Sequence, residues 1–380
     1  MYTEQELTEI ISRFDIGAEA ESIKAMGPGF INDTLIVKTR PDATGKAPRY
    51  ILQRKNHNVF PDISGMMCNI AMVTDHLRKK VIEAGGDPDR EVLKIIRRKP
   101  DSMTDEEKKS KGGDLYYHDS KGNWWTVCLF IEGSVTYEKA DSPVLAFKGG
   151  EGIGKFQSML ADFTQPLNET IKGFHNIRWR FTQWEESLRN DAAGRVKDLA
   201  EEISWIESRK EKMLGFWELV ENGTLPTRVT HNDTKISNIL FDEKGNVLCV
   251  IDLDTCMSST SLNDFGDAIR SYTNTGAEDD KDLDKVSMSM EMFNAYTAGY
   301  LSQRKGTLCD AEVSHLAFSA LYITFEQVLR FLMDYIDGDK YYKIAYPDHN
   351  LVRTRAQYKL LCSMEQQYPQ MLETVEKLMK

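Results

Sequence analysis

The hydrophobic pattern of the chain changes after about residue 131. Before that point, short apolar runs alternate with turns rich in Gly, Pro and Asp, which is typical of strands. These strands are predicted at 20–26, 34–39, 49–53, 92–97 and 124–131. Apolar residues with helical spacing occur in the same region at 3–14 and 62–84. Long helical segments then predominate, at 143–163, 178–190, 198–221, 283–303, 311–337 and 349–380.

This change predicts an α+β protein with two lobes. The first, residues 1–132, is small and β-rich, and the second, residues 133–380, is larger and mainly helical. Residues 99–122 are rich in Lys, Asp, Glu, Ser and Gly. They are predicted to form a solvated hairpin loop within the first lobe, because such a segment has little apolar surface to bury.

Length, charge and composition limit the classes of partner and the location that are expected for this chain. At 380 residues the chain is long enough for two cores, and 48 Lys and Arg against 59 Asp and Glu give a formal net charge of −11. An acidic chain argues against nucleic acid or an anionic membrane as a partner. We find no apolar run long enough to cross a bilayer and a polar, acidic start that is unlike a signal peptide, so we expect a cytoplasmic protein. We expect a monomer or a weak homodimer.

The six cysteines are scattered without Cys-x-x-Cys pairs and lie mostly in apolar runs. This distribution predicts buried free thiols and argues against a metal site built from cysteine.

One polar pattern carries chemistry. His231 is followed by Asp233, Asn238 stands five residues after the aspartate, and Asp252 stands fourteen residues further on. Phosphoryl transfer from a nucleotide needs a carboxylate near the acceptor hydroxyl, and an amide oxygen and a second carboxylate that hold Mg²⁺ against the phosphates. Protein kinases carry these groups with the same spacing from base to amide. A capped loop or solvated turn is the simpler alternative, but the surrounding strands favour a kinase.

Two short predicted strands, 239–241 and 247–251, flank the turn 242–246. A hairpin there would return Asp252 toward Asn238, as one shared metal ion requires. Asp264-Phe-Gly266 spells the metal motif of protein kinases but lies 31 residues after Asp233. We therefore expect Asp264 to brace the catalytic loop, and ATP and Mg²⁺ to be the cofactors.

The order of lobes and motifs is that of the protein-kinase fold, which gives the first lobe the nucleotide. The turn 27–32 lies where that fold places its glycine loop, so Gly29 and Asn32 are expected to contact ATP. An ordinary hairpin turn is the alternative for this segment. The linker between the lobes predicts contacts between adenine and the backbone at Phe130, Ile131 and Glu132.

The chain resembles the aminoglycoside phosphotransferase and choline kinase superfamily, whose members carry His-x-Asp-x-x-x-x-Asn followed by an Ile-Asp-x-Asp cluster. Within it, the resemblance sharpens to the bacterial N-acetylhexosamine 1-kinases. The segments that carry it are 48–53, 60–62, 228–235, 251–255, 264–270 and 349–355. The resemblance implies ATP-dependent phosphorylation of the anomeric hydroxyl of GlcNAc or GalNAc, giving the sugar 1-phosphate in amino-sugar salvage.

The resemblance also implies residue roles. Asp233 would be the catalytic base, and Asn238 and Asp252 would bind Mg²⁺. His231, Asp254 and Asp264 would support the site structurally.

Arg330 and Tyr341 are implied as sugar contacts. An Arg fork can donate to hydroxyls or an amide oxygen, and a Tyr ring can support an acetamido methyl group. Without the resemblance, Arg330 could equally form a salt bridge with Asp334, its i+4 neighbour, and Tyr341 would be a packed aromatic.

Three departures from the kinase pattern matter. The predicted strand 49–53 ends in Gln53 where kinases generally place a phosphate-binding Lys, although Arg54 and Lys55 follow at once. The helix after Asp62 offers Ala71 where an acid would pair with that Lys. Pro28 and Phe30 replace an Asp and a His of the related enzymes, which puts the expected acceptor contact of Phe30 in question.

Two alternatives stay open from the sequence. One is another small-molecule kinase of the superfamily, acting on an amino alcohol, a different sugar or an aminoglycoside. The other is a nucleotide-binding pseudokinase, against which the intact Asp233, Asn238 and Asp252 argue.

Overall fold

The chain folds into two compact units, and the computed structural model describes residues 2–26 and 31–380. Unit 1 comprises Met1–Val135, Asp162–Lys172 and Leu240–Met257, and unit 2 comprises Thr136–Ala161, Gly173–Ile239 and Ser258–Lys380. The predicted fold class is confirmed, because a small antiparallel sheet precedes a larger, mainly helical part. The boundary between residues 132 and 133 stays a prediction.

Unit 1 is built on an antiparallel sheet. Its strands in the described residues are β1 Ala20–Ala25, β2 Asp33–Thr39, β3 Arg49–Lys55, β4 Ile95–Ile96, β5 Tyr117–His118 and β6 Trp124–Leu129. They pair in the order β1-β2-β3-β6-β4, with β5 also paired to β6. Its helices are α1 Glu4–Ser12, α2 Ile63–Glu83, α3 Pro88–Glu91 and α4 Asp105–Lys109.

The alternation along β3 decides which side chains serve the core. Tyr50 and Leu52 pack into a cluster with the apolar face of α1. Because successive strand residues point to opposite faces, Gln53 and Lys55 share the other face. The strand ends at Lys55, two residues beyond the predicted end, so it presents a lysine on the face that Gln53 shares.

The prediction for residues 99–122 was wrong in detail. This segment contains α4 and β5 and is not a plain hairpin loop. Arg98, which is buried, forms an ion pair of 2.6 Å with Glu107 at the start of α4. Part of the charge run therefore serves the interior of unit 1, which charge composition alone does not reveal.

Unit 2 is mainly helical. Its helices are α5 Pro143–Met159, α6 Ile177–Asn190, α7 Ala200–Glu207, α8 Lys210–Glu221, α9 Leu262–Tyr272, α10 Met290–Arg304, α11 Asp310–Ile336 and α12 His349–Met379. The remaining short strands among residues 2–26 and 31–380 are β7 Arg228–Thr230, β8 Ile239–Phe241, β9 Val247–Val250 and β10 Met257–Ser259. β8 pairs with β9, which is the predicted hairpin, and β10 pairs with β7.

The helix α11 is the core of unit 2. It is long and apolar enough to cross a membrane by length and composition, contrary to the expectation that no such run exists. However, 89% of its most apolar window is buried inside the protein, as in the core helix of a folded domain.

A glycine brings α9 against α11. A methyl group at Gly266 would lie 2.3 Å from the carbonyl oxygen of Ser319, so only Gly allows this approach. The contact matters for function because α9 carries two aspartates, Asp264 and Asp267, toward the loop that follows β7.

Candidate active site

The loop between β7 and β8 is held by the carboxylate of Asp264. Its Oδ2 accepts from the backbone N–H of His231 at 2.9 Å, and its Oδ1 accepts from that of Asn232 at 2.7 Å. The side chain of Gln157 donates a third bond of 2.7 Å. Burial raises the pKa of Asp264, while His231 and these donors oppose the rise. The geometry is that of a loop brace, the role expected of Asp264.

A second aspartate, Asp267, holds the other side of the loop. Its Oδ2 accepts from the backbone N–H of Thr234 at 2.8 Å, and its Oδ1 accepts from Arg270 at 3.1 Å. No role was predicted for Asp267. The available signal was its spacing of three residues from Asp264, which places both on one side of α9.

Asp233 projects from this braced loop and remains one-third exposed. Its Oδ2 accepts from the amide of Asn238 at 3.0 Å, and the ammonium group of Lys235 lies 3.0 Å from the same oxygen. Lys235 was not among the predicted site residues, although an Asp-x-Lys spacing places the lysine at the rim of the same loop. Asp233 is thus a fixed, partly exposed carboxylate with one cation beside it.

A cavity of about 630 Å³ in unit 2 has Asp233 in its wall. Four acidic and four basic side chains line it, namely Glu138, Asp233, Glu278, Asp280, Lys139, Lys235, Arg270 and Lys285. Ser271, Asn274, Thr275 and Gln357 add neutral hydrogen-bonding groups. Its volume lies in the usual range for small-molecule sites. The balance of charge suits a neutral polar ligand.

Arg330 and Tyr341 belong to an aromatic group in unit 2, and neither lines this cavity. The guanidinium carbon of Arg330 lies 5.5 to 5.7 Å from the ring centres of Phe174, Tyr341 and Tyr342. Burial raises the pKa of Tyr342, and the neighbouring Arg330 opposes the rise.

The alternative salt bridge between Arg330 and Asp334 does not form in the described residues. The carboxylate of Asp334 instead accepts from the backbone N–H groups of Lys340, Tyr341 and Tyr342 at 2.7 to 3.0 Å. It therefore shapes the turn that carries Tyr341, whose side chain is 61% exposed.

In unit 1, Lys55 forms a buried ion pair with Asp254. Its ammonium group lies 2.7 and 2.9 Å from the two carboxylate oxygens, and both side chains are about 5% exposed or less. The amide of Asn32 donates to Asp254 at 2.7 Å, and Gln53 accepts from Lys55 at 2.8 Å. No such ion pair was predicted, because α2 offers Ala71 where kinases place the acid. The acid comes instead from the turn after β9.

Asp252 lies between β9 and this turn. It adopts a left-handed backbone conformation, with φ of 58°, which is uncommon outside Gly, Asn and Asp.

Asn238 donates from its amide nitrogen to both the carbonyl and the carboxylate of Asp233. In the described part of the chain no residue donates a hydrogen bond to Oδ1 of Asn238. That oxygen is the atom a metal ion needs, so the residue fits the expected role.

The linker groups expected to meet adenine are partly engaged within unit 1. The N–H of Phe130 donates to the carbonyl of Arg49 at 2.9 Å, and the carbonyl of Glu132 accepts from Arg90 at 2.9 Å. The side chain of Ile131 packs in a small core with Leu240. Adenine contacts would therefore use other backbone atoms of this linker. The expected contacts Gly29 and Phe30 lie outside the described residues.

Comparison with known proteins places these features in context. The family model described as "Phosphotransferase enzyme family" matches residues 22–286. An aminopropanol kinase associated with a microcompartment superposes with a TM-score of 0.59 at 15% identity, covering 96% of this chain and 98% of its own. A spectinomycin phosphotransferase in complex with ADP and spectinomycin gives 0.57 at 11% identity, covering 96% and 99%. An aminoglycoside phosphotransferase from Alicyclobacillus acidocaldarius gives 0.56 at 12% identity, covering 97% of both chains. At these identities the structures are similar to this chain in fold alone.

Proposed function

Because the chain belongs to the phosphotransferase enzyme family, we propose that it transfers the γ-phosphoryl group of ATP to the anomeric hydroxyl of an N-acetylhexosamine. The products would be ADP and the 1-phosphate of GlcNAc or GalNAc. The acceptor rests on the sequence resemblance described above and on the character of the cavity beside Asp233.

The observation that carries the proposal is the charge balance of that cavity. Its four acidic residues are matched by four basic ones, and Asp233 and Glu278 are each within 3.0 Å of a cation. A polycationic acceptor would call for an excess of unpaired carboxylates, whereas a neutral sugar needs hydroxyl, amide and charged groups that can donate and accept. The cavity offers the second set.

Asp233 is the proposed catalytic base. Its carboxylate would accept the proton of the acceptor hydroxyl as the phosphoryl group transfers, and the braced loop would fix its position. Lys235, 3.0 Å from that carboxylate, would stabilise negative charge on the phosphoryl group.

Asn238 and Asp252 are the proposed Mg²⁺ ligands. The described residues contain no cluster of three or more His, Cys, Asp or Glu that could hold a metal. Two protein ligands suffice for Mg²⁺, which is commonly bound by one or two side chains together with substrate phosphates and water. The ion would neutralise charge on those phosphates.

Unit 1 is the proposed nucleotide-binding part. Lys55 is the proposed phosphate contact, since it lies at the end of β3 and is held by Asp254. Asn32, which donates to the same carboxylate, and the linker 130–132 are the further proposed contacts.

A cationic acceptor is the second candidate. Glu278 and Asp280 lie in the cavity wall and could receive an ammonium group such as that of an amino alcohol. The similarity in fold to an aminopropanol kinase makes this acceptor class worth including in any assay.

An acceptor panel separates these candidates. We expect magnesium-dependent ADP release with GlcNAc and GalNAc, and phosphorus NMR should identify an acid-labile 1-phosphate. The resemblance implies Arg330 as a sugar contact, so Arg330→Ala should raise the sugar KM far more than the ATP KM. Arg330 lies outside the cavity wall, and an unchanged sugar KM would confine the acceptor to the cavity. Turnover of ethanolamine, aminopropanol or kanamycin without turnover of either sugar would assign the second candidate.

Magnesium dependence has its own test. Asp252→Ala should abolish activity at any magnesium concentration, since a charged ligand for the ion is removed. Asp264→Ala should lower the melting temperature, while the surviving folded protein keeps its affinity for magnesium and nucleotide. The opposite pattern in magnesium titrations would assign the metal to Asp264.

A further inference from the structure

The peptide that joins Asn232 to Asp233 is contacted on both of its edges by imidazole rings. On one edge, the N–H of Asp233 donates to Nδ1 of His231 at 3.2 Å. On the other, Nε2 of His175 lies 3.4 Å from the carbonyl oxygen of Asn232. This peptide immediately precedes the side chain proposed as the catalytic base. His175 lies 56 residues upstream of the loop motif, in a segment to which neither sequence pattern nor resemblance assigned a role.

His175 is itself firmly anchored. Its Nδ1 lies 2.7 Å from a carboxylate oxygen of Glu326 on α11, and both side chains are 5% exposed or less. Its carbonyl oxygen accepts from the hydroxyl of Tyr322 at 2.7 Å. These contacts fix the ring from α11, the rigid core helix of unit 2.

The backbone of His175 is strained. Its φ is 57°, in the left-handed region that residues with a Cβ seldom occupy. Such strain persists only where surrounding contacts determine it. Here the strained backbone aims the ring at the catalytic loop.

Glu326 has a second set of partners. Its other oxygen lies 3.2 Å from the guanidinium of Arg180. Although burial alone would raise it, the charges of His175, Arg180 and Arg330 lower the pKa of Glu326 to about 2. The anchor is therefore an ionised carboxylate, and it accepts a hydrogen bond from Nδ1. The carbonyl of Asn232 can only accept, so a protonated Nε2 donates to it across the 3.4 Å contact.

We propose that His175 is a positioning residue for Asp233. By donating to the carbonyl of Asn232, it fixes the plane of the peptide from which the catalytic carboxylate projects. His231 fixes the N–H of the same peptide, and Asp264 fixes the two peptides before it. A rotation of this peptide displaces Asp233, and a displacement of about 1 Å can cost on the order of 10²-fold in rate. The inference rests on the proposed role of Asp233.

Two substitutions separate position from bulk. His175→Asn tolerates the left-handed backbone and can still reach Glu326, but it is too short to donate to Asn232. His175→Gln is long enough to place an amide N–H near the position of Nε2. We expect kcat to fall by about 10- to 100-fold in His175→Asn and to stay within about fivefold of wild type in His175→Gln, while the ATP KM changes less than about twofold in both.

Hydrogen exchange supplies a readout that does not depend on the acceptor. Mass spectrometry of peptides covering residues 229–235 should show faster exchange in His175→Asn and near wild-type exchange in His175→Gln. His315→Gln, which alters a partly buried histidine on α11, should change neither exchange in this segment nor kcat.

The outcomes are distinct. Unchanged loop exchange and kcat within twofold of wild type in His175→Asn would overturn the proposal. If that variant fails to fold, Glu326→Gln replaces it, because it weakens the anchor of the ring. Hydrogen exchange of the loop should then become faster and kcat should fall, as expected for His175→Asn. Normal exchange and normal kcat in Glu326→Gln would then overturn it. High activity in Asp233→Asn would instead overturn the assignment of the base and leave the measured loop ordering intact.

Discussion

At the scale of single residues, the aspartates of the proposed active site differ in how far their carboxylates are exposed. The backbone N–H groups of the catalytic loop are satisfied by Asp264 and Asp267, both of which are buried. Asp233, in contrast, keeps one-third of its side chain exposed at the cavity wall. The buried aspartates accept hydrogen bonds from the protein, whereas the carboxylate of Asp233 is partly open to solvent.

Asp233→Asn should separate chemistry from binding. An amide keeps the shape and the contact with Asn238 but cannot accept a proton, so turnover should fall by roughly 10²–10⁴-fold. Nucleotide affinity and melting temperature should stay close to wild type. Steady-state kinetics and isothermal titration with ADP check this, and a variant with more than about a tenth of wild-type kcat lies outside that range and contradicts the role.

Lys55 and its strand neighbour Arg54 offer a matched pair. Lys55→Met leaves the buried Asp254 without its cation, which typically costs about 3–5 kcal/mol of unfolding free energy, and it should also raise the ATP KM. Arg54→Met removes an exposed ion pair with Asp33 and should cost at most about 1 kcal/mol.

Urea unfolding and ATP titrations measure both effects. In the double variant Lys55→Met/Asp254→Asn, part of the lost stability should return because no buried charge is left unpaired. Activity should not return if Lys55 contacts the phosphates. Full activity in Lys55→Met would show that another cation serves the nucleotide.

At the scale of elements, the strands and long helices follow from apolar spacing, and the failures have physical causes. The helix α9 was not predicted, because polar residues such as Asn263, Asp264 and Asp267 are buried in it against the loop. The weaker signal was Leu262, Phe265 and Ile269, whose spacing is helical.

The helix predicted at 198–221 is two helices, α7 and α8. They separate near Arg209, whose guanidinium forms a bidentate pair with Glu365 on α12 at 2.7 Å. Such pairing across the fold is not visible in local sequence. The same limit applies to two other buried pairs. Lys55 and Asp254 are 199 residues apart in the chain, and His175 and Glu326 are 151 residues apart. The grouping of His231, Asp233 and Asn238 in one loop was accessible from spacing alone, since those residues are close in sequence, and the role of Asp233 as base stays a prediction.

Gly266→Ala should disturb the contact between α9 and α11. The added methyl would lie 2.3 Å from the carbonyl oxygen of Ser319, so the helices must separate, at a typical cost of 1–3 kcal/mol. Because α9 carries Asp264 and Asp267, kcat should fall as well. Thermal unfolding and kinetics measure the two effects.

Gly215→Ala in α8 is the control for this substitution. No atom lies within 4 Å of the added methyl, so the change should stabilise the helix by roughly 0.5–1 kcal/mol through propensity alone. Equal effects of the two substitutions would show that α9 does not depend on this close approach.

At the scale of the whole molecule, buried charge makes stability depend on pH. The chain is acidic, with a net charge of −11, but most of its carboxylates are on the surface and exposed ion pairs contribute little. Glu326 differs, because it is 1% exposed and lies beside His175 and the guanidinium groups of Arg180 and Arg330. Its ionisation is therefore coupled to the folding of unit 2, where it joins α11 to α6 through Arg180.

The sign of this coupling follows from the pKa. Glu326 has a pKa of about 2 in the folded protein against an ordinary value of 4.5, so it stabilises the folded state above pH 4.5. That stabilisation, about 3 kcal/mol for a shift of this size, should be lost as the pH falls from about 4.5 to 2. Urea unfolding of wild type and Glu326→Gln should show a stability difference that is largest at pH 6 and about 2 kcal/mol smaller at pH 3. Glu376→Gln, at the exposed end of α12, should show no such convergence. A difference between wild type and Glu326→Gln that stays constant from pH 6 to 3 would mean that Glu326 is not held ionised by its cations, and the anchor of His175 would then be neutral.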